Sequence, residues 1–214
     1  MMKVLYIGHF NEGSTSKMRG EYLKKILNAP DMIVANIDIP ILNIPRIYKS
    51  LGWRYKIGPF IEAINKYILS IVSLHDYFDV AWIDKGVFIR PEVIQKIRSL
   101  SSKMIHFTPD PSFLYHRSNF FFKTIPEYDF CVTTKSFEVE QYIKYNAKSV
   151  FFCTQGFDPS VHKRYHNFNS KKGVVFIGHR EENREEAISL LIENGIPFKL
   201  AGIKWDRLVS RYKY

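Results

Sequence analysis

The feature that most restricts the fold of this chain is a set of short runs that are apolar almost throughout rather than at every second position. "VLYIG" (Val4–Gly8), "FDVAWID" (Phe78–Asp84), "KMIHFT" (Lys103–Thr108) and "VVFIG" (Val174–Gly178) each stop at a glycine, a proline or a charged residue. A half-exposed strand alternates apolar and polar side chains. A run without that alternation must be covered on both faces, as in a parallel sheet between helices. The segments between the runs have helical spacing: Tyr22, Leu23, Ile26 and Leu27 after the first, and Phe60, Ile61, Ile64, Ile68, Ile71 and Val72 before the second. Strands alternating with helices predict an α/β fold built on a Rossmann-like parallel sheet with right-handed crossovers.

Further strands are predicted in "MIVANID" (Met32–Asp38), "YDFCVTTK" (Tyr128–Lys135), "SVFFCTQG" (Ser149–Gly156) and "PFKLAGI" (Pro197–Ile203). Helices are predicted over about 53–72, from Pro91 onward and over about Phe137–Tyr145. Two strings, "VLYIGHF" and "VVFIGHR", are nearly the same phrase, and each opens a strand–loop–helix pattern. Between them "HKRYHNFNSKKG" (His162–Gly173) is polar, basic and poor in aliphatic residues, which suits a linker. The expected organisation is therefore a first Rossmann-like domain over 1–161, a linker over 162–173, and the first strand–helix–strand of a second such domain over 174–214. Two parallel strands cannot bury both faces. The expectation is that the chain is part of a longer protein; the alternative is that its tail packs back on the first domain. Coding sequence continuing past Tyr214 for roughly another domain would separate these.

The net charge of +10 and pI of about 9.5 favour anionic partners: nucleic acid, an anionic membrane face or phosphate-bearing small molecules. No nucleic-acid-binding motif accompanies the charge, so nucleic acid is not expected. No uncharged apolar run reaches the roughly 18 residues of a transmembrane candidate, and the chain enters a strand directly, without a signal-peptide layout. The two cysteines, Cys131 and Cys153, form no CxxC pair and read as structural thiols of a reducing, cytoplasmic setting. There is no zinc-ligand spacing and no GxSxG nucleophile elbow. The basic, aromatic stretch "RIYKSLGWRYKIGPF" (Arg46–Phe60) fits either an anionic bilayer at the inner membrane face or a core stripe with snorkelling Lys and Arg. "SFLYHRSNFFF" (Ser112–Phe122) lines an acceptor cleft or simply packs.

Open α/β sheets bind ligands beyond the carboxyl ends of their strands. After the first run, Gly13, Ser14 and Thr15 either cradle a phosphate at a helix N-terminus or form an ordinary strand–helix turn. Asp84 and Lys85 follow the next run, where they grip a sugar hydroxyl or phosphate, or make a surface ion pair. Asp110, held between Pro109 and Pro111, suits a general base or acceptor-hydroxyl anchor, or else a turn-capping Asp. His106 lies inside its strand and reads as a core residue or a supporting one. Lys135 follows the fifth run; Gln155, Phe157 and Asp158 follow the sixth and are expected to face a cleft between domains. In the second unit His179, Arg180 and Arg184 surround the glycine turn, as a diphosphate clamp or as a charge-paired helix start.

Taken in order, "WIDKGVFIRPEVI", "FTPDPSF", "YDFCVTTKSFEVEQY", "FCTQGFDPSVHKRY" and "GVVFIGHREENREEAISLL" resemble the CgeB-like (spore maturation protein) branch of group 1 glycosyltransferases of the GT-B fold, over essentially the whole chain. The resemblance implies transfer of a sugar from a UDP-, GDP- or dTDP-sugar to a hydroxyl of a glycan, lipid-linked or protein acceptor, with no tightly bound cofactor and no metal. It implies an acceptor-side first domain, with Asp84, Lys85 and Lys135 on the acceptor and Asp110 as base or anchor. Gly13, Ser14, Thr15, Arg180 and Arg184 would hold donor phosphates. Relatives carry a Gly-Arg turn with Lys some six residues after the Gly; here Gly178 is followed by His179 and the later basic residue is Arg184. Their His-Asp pair is Pro109-Asp110 here, so only the Asp role carries over. Their later acidic donor-binding residues fall beyond Tyr214. A non-catalytic α/β binding or regulatory module is the competing reading.

Overall fold

A computed structural model of the chain describes residues 2–115, 117–160, 162–163, 169 and 173–206. It has two compact units, Met1–Gly156 and Phe157–Tyr214. Most of the predicted linker, 162–173, lies outside the described residues.

The first unit holds six strands: β1 (Val4–Gly8), β2 (Ile33–Asn36), β3 (Phe78–Asp84), β4 (Ser101–Thr108), β5 (Phe130–Thr133) and β6 (Val150–Phe152). All neighbours run parallel, in the order β2-β1-β3-β4-β5-β6. The fold is thus α/β and Rossmann-like. The chain leaves β1 for β2 on one side and then crosses to β3 on the other, so the topological switch point lies between β1 and β3. The helices are α1 (Thr15–Ile26), α2 (Arg46–Tyr55), α3 (Pro59–Val72), α4 (Pro91–Leu100), α5 (Asn119–Thr124) and α6 (Val139–Lys144).

Both sheet faces are covered, as the continuous runs require. Leu5, Ile7, Ala81, Ile83 and Met104 enter the larger core with Ile61, Ile64, Ile68 and Val72 of α3. Val4 and Val80 enter a smaller cluster with Ala29, Leu27 and Ile105. The period of two along β1 and β3 sorts their residues between these clusters.

One prediction changes. The single helix over about 53–72 is two helices, α2 and α3. Lys56 caps α2 at φ 59°, Gly58 stands at φ 79°, and Pro59 starts α3. Gly52 lets α2 lie against α3, since a Cβ there would sit 2.5 Å from Phe60 Cβ. In "SFLYHRSNFFF", whose last four residues begin α5, Phe113 and Phe121 pack, buried against His106 and Tyr142, whereas Leu114 and Tyr115 stay exposed. His106 is a core residue, 0% exposed, with Nε2 3.1 Å from the Tyr142 hydroxyl. Cys131 is buried, and burial pushes its thiol up to about 12; Cys153 is exposed, and both are free.

The second unit is a βαβ piece. β7 (Val174–Ile177) and β8 (Phe198–Ala201) pair in parallel across α7 (Glu182–Glu193). One small core, Ile188 and Trp205 with Phe176, Leu191 and Leu200, forms on it. Val175 and Ile177 stay 60% and 78% exposed. Trp205 Nε1 donates to the Gly178 carbonyl at 2.8 Å, and a Cβ on Gly202 would collide with that carbonyl.

Candidate functional site at the carboxyl edge of the first sheet

The switch point is tied together by Asp84, the last residue of β3. Its side chain is 2% exposed. Tyr6 Oη (2.7 Å), Ser16 Oγ (3.0 Å) and Arg19 Nη1 (2.8 Å) all donate to Oδ2. These donors come from β1 and α1, so one carboxylate joins three elements. The alternation of β1 aims Tyr6 away from the larger core and toward α1. Gly8 makes room, because a Cβ there would sit 2.8 Å from Asp84 Cβ. Burial and the adjacent carboxylate push the Tyr6 phenol well up, so it remains a donor. The Arg19 guanidinium also lies over the Phe107 ring at 4.0 Å. Asp84, placed on the acceptor in the sequence reading, is thus a buried carboxylate whose Oδ2 is taken up by three side chains of the protein itself.

Beyond Asp84 the chain turns sharply, with Lys85 at φ 68° and Gly86 at φ 64°. The turn sends the Lys85 ammonium to Asp110 Oδ2 at 2.6 Å. The two side chains are 27% and 37% exposed, so a ligand can reach them. Thr108 Oγ1 accepts from the Asp110 N–H (3.2 Å). The Pro109 carbonyl accepts from Thr134 Oγ1 (2.9 Å) and Gln155 Nε2 (3.4 Å). The ends of β3, β4, β5 and β6 are thereby linked around Asp110. The Lys135 N–H donates to Thr133 Oγ1 (3.1 Å), which closes the turn after β5. On the far side of the switch point, His9 Nδ1 lies 2.7 Å from Asp38 Oδ1 and links the ends of β1 and β2.

A cleft of about 780 Å³ opens between this edge and α2. Its basic side chains are His9, Lys49, Arg54, Lys56 and Arg117, and among the described residues lining it there is no Asp or Glu. Trp53, Phe88 and Tyr115 supply aromatic surface. The Phe88 wall is fixed from behind by Asn65 of α3. The Asn65 amide donates to the Ile61 and Phe88 carbonyls, and its oxygen accepts from the Arg90 N–H (2.8 Å). Trp53 and Phe60 pack on Phe88 with centroids 4.9 and 5.1 Å away. The Lys56 ammonium sits 4.8 Å from the Phe88 centroid, and burial lowers its pKa. A smaller recess continues from His9 and Trp53 to Asp84, Lys85 and Gly86. Cations and aromatic faces without carboxylates suit a ligand that carries phosphate beside a ring or apolar group.

The remaining predicted residues are placed as follows. Gly13 takes φ 75°, and the Ser14 hydroxyl caps α1 by accepting from the Lys17 N–H at 3.1 Å, ahead of Thr15 at the first helical position. Gln155 belongs to the first unit, whereas Phe157, Asp158 and His179 belong to the second. Asp158 folds a local turn: its carboxylate accepts from the Ser160 N–H at 2.8 Å and its carbonyl from the His162 N–H at 2.7 Å. Arg180 pairs with Glu185; Arg184 pairs with Glu181 at 3.1 Å and donates to the His179 carbonyl at 3.1 Å. Of the basic wall of the cleft, Lys49, Arg54 and Lys56 were not placed in a ligand site by the sequence, whereas Arg117, with Tyr115, lies in the 112–122 stretch read as lining an acceptor cleft or packing. For Lys49, Arg54 and Lys56 the signal was present as an acid-free interval between Asp38 and Glu62. Among the described residues no group of three or more His, Cys, Asp or Glu could hold a metal ion. No protein-family model and no curated protein matches this chain.

Proposed function

We propose that this chain belongs to a glycosyltransferase of the GT-B kind that moves a sugar from a nucleotide-activated donor to an acceptor hydroxyl, in bacterial surface-glycan, spore-coat or protein glycosylation. The observation that carries this reading is the carboxylate-free basic and aromatic cleft that leads to Lys85, whose ammonium holds Asp110 at the sheet's carboxyl edge. The order of the sequence strings supports it. The cleft receives a phosphate-bearing or glycan acceptor, with Arg54 and Arg117 as its anion-binding side chains. Asp110 anchors the acceptor hydroxyl and takes its proton in an inverting transfer; a retaining transfer needs no protein base. Donor phosphates at Arg180 and Arg184 would have to displace Glu185 and Glu181.

A second reading, a non-catalytic binding module, is favoured by one observation. Asp84, Asp110 and Asp38 at the strand ends are each already paired with a basic side chain. A donor panel separates the two. The transferase reading expects at least one UDP-, GDP- or dTDP-sugar to raise the melting temperature of the full-length protein and to release nucleotide. Stabilisation by an anionic ligand with no nucleotide release from any donor supports the module. Neither effect with any donor removes the transferase reading.

A further inference from the structure

We infer that the cleft takes a phosphate monoester and that His9, held by Asp38, binds its terminal phosphate. The inference rests on the reading of this cleft as a ligand site and narrows its phosphate-bearing ligand; it does not require sugar transfer. His9 lines both the cleft and the recess that runs on to Lys85, and among their described lining residues it is the one titratable side chain common to the two. Its ring is fixed from the protein side. Asn36 Oδ1 accepts from the Phe10 N–H at 3.0 Å and from the Asp38 N–H at 3.1 Å, which joins the loop after β1 to the loop after β2. The Ile37 N–H donates to the Gly8 carbonyl at 3.1 Å. These contacts set Asp38 Oδ1 2.7 Å from His9 Nδ1. An ionised carboxylate only accepts, so Nδ1 carries the proton of this bond. That leaves Nε2, which among the described residues has no hydrogen-bond partner, on a side chain 29% exposed.

Chemistry selects the ligand. An imidazole nitrogen beside a phosphate monoester shares one proton with it, whichever of the two supplies that proton. The Asp38 carboxylate stabilises the ring when it is the ring that holds both protons. Lys49, Arg54, Lys56 and Arg117 line the same cleft and favour the second negative charge of a monoester. A sulfate ester has the same shape, but it brings a single charge and no proton to share. Trp53, Phe88 and Tyr115 offer surface to a ring or apolar group next to the phosphate.

The test is titration calorimetry of the full chain with phenyl phosphate and with phenyl sulfate, no sugar nucleotide being present. The wild type should bind phenyl phosphate about tenfold tighter than phenyl sulfate. His9→Phe keeps a ring and removes both nitrogens. It should bind phenyl phosphate about tenfold more weakly and phenyl sulfate within about twofold of wild type. Asp38→Asn keeps the side-chain size and removes the charge beside the ring; it should weaken phenyl phosphate about threefold. Tighter phenyl phosphate binding in that variant would mean that net charge alone decides, and overturns the role given to the pair. Equal wild-type affinity for the two esters overturns the monoester assignment. Equal loss of both esters in His9→Phe makes the pair a tie between β1 and β2 and overturns the inference, as does binding of neither ester. Phenyl phosphate bound through His9, with no nucleotide released from any donor, removes sugar transfer and leaves this assignment standing.

Discussion

The strands β1 and β7 are spelled almost alike, yet they live in opposite environments. Every residue of Val4–Gly8 is buried, whereas Val174, Val175 and Ile177 are exposed. The difference lies in the layers around them. β1 has β2 and β3 as neighbours and an apolar cluster on either face; β7 has only β8 beside it among the described residues, and one small cluster. The turns that follow diverge in the same way. Gly8 is pressed against a buried carboxylate that gathers three donors, while Gly178 precedes arginines paired with carboxylates on α7. An apolar run states that a strand can be covered, and its neighbours decide whether it is.

The largest contrast is expected at the two charged turns. Asp84→Ala removes the buried acceptor shared by Arg19, Tyr6 and Ser16, leaves the Arg19 charge without its counter-ion, and should cost about 3–5 kcal/mol in chemical denaturation. Glu185→Ala, which removes the Arg180 partner in the second unit, should cost about 1 kcal/mol or less. Equal costs would break the comparison. Next come the matching isoleucines. Ile7→Ala should cost about 2–5 kcal/mol and Ile177→Ala within about 0.5 kcal/mol. A large cost at Ile177 would mean that the exposed face of β7 is covered in solution.

A smaller effect should depend on pH. Burial lowers the His106 pKa from its usual 6.5 to about 3. Below pH 6.5 the unfolded chain binds a proton that the folded chain does not, so stability falls with pH until about 3. The loss should be about 2 kcal/mol at pH 5, and His106→Phe should flatten this part of the profile. An unchanged slope in that variant would assign acid sensitivity to other groups.

The strands, their carboxyl ends and the buried place of His106 were legible because each follows from a local pattern. Runs stop at Gly or Pro, and a His inside an apolar run faces a core. The Lys56–Pro59 break was legible only in part. Gly58-Pro59 marks a boundary, but the apolar spacing of Trp53 through Val72 concealed it. Pairings were not legible, because they depend on long-range placement. Nothing near Asp84 indicates that Tyr6 and Arg19 will claim its carboxylate, or that Lys85 will turn to Asp110 instead. The cleft was legible only at the 112–122 stretch for the same reason: its walls come from α2, α3 and the segments after β1, β2, β3 and β4, far apart in sequence.

The same contrast separates the two strand-end carboxylates: Asp84 is a buried structural tie, and Asp110, part-exposed beside Lys85, is the working group only under the proposed transfer. The most direct measurement is sugar-nucleotide turnover and thermal midpoint of the full-length Asp110→Asn variant, using whichever UDP-, GDP- or dTDP-sugar the wild type consumes. The account predicts turnover lowered about a hundredfold with a midpoint close to wild type. Wild-type turnover in that variant would reduce Asp110 to a turn residue and contradict the site as described.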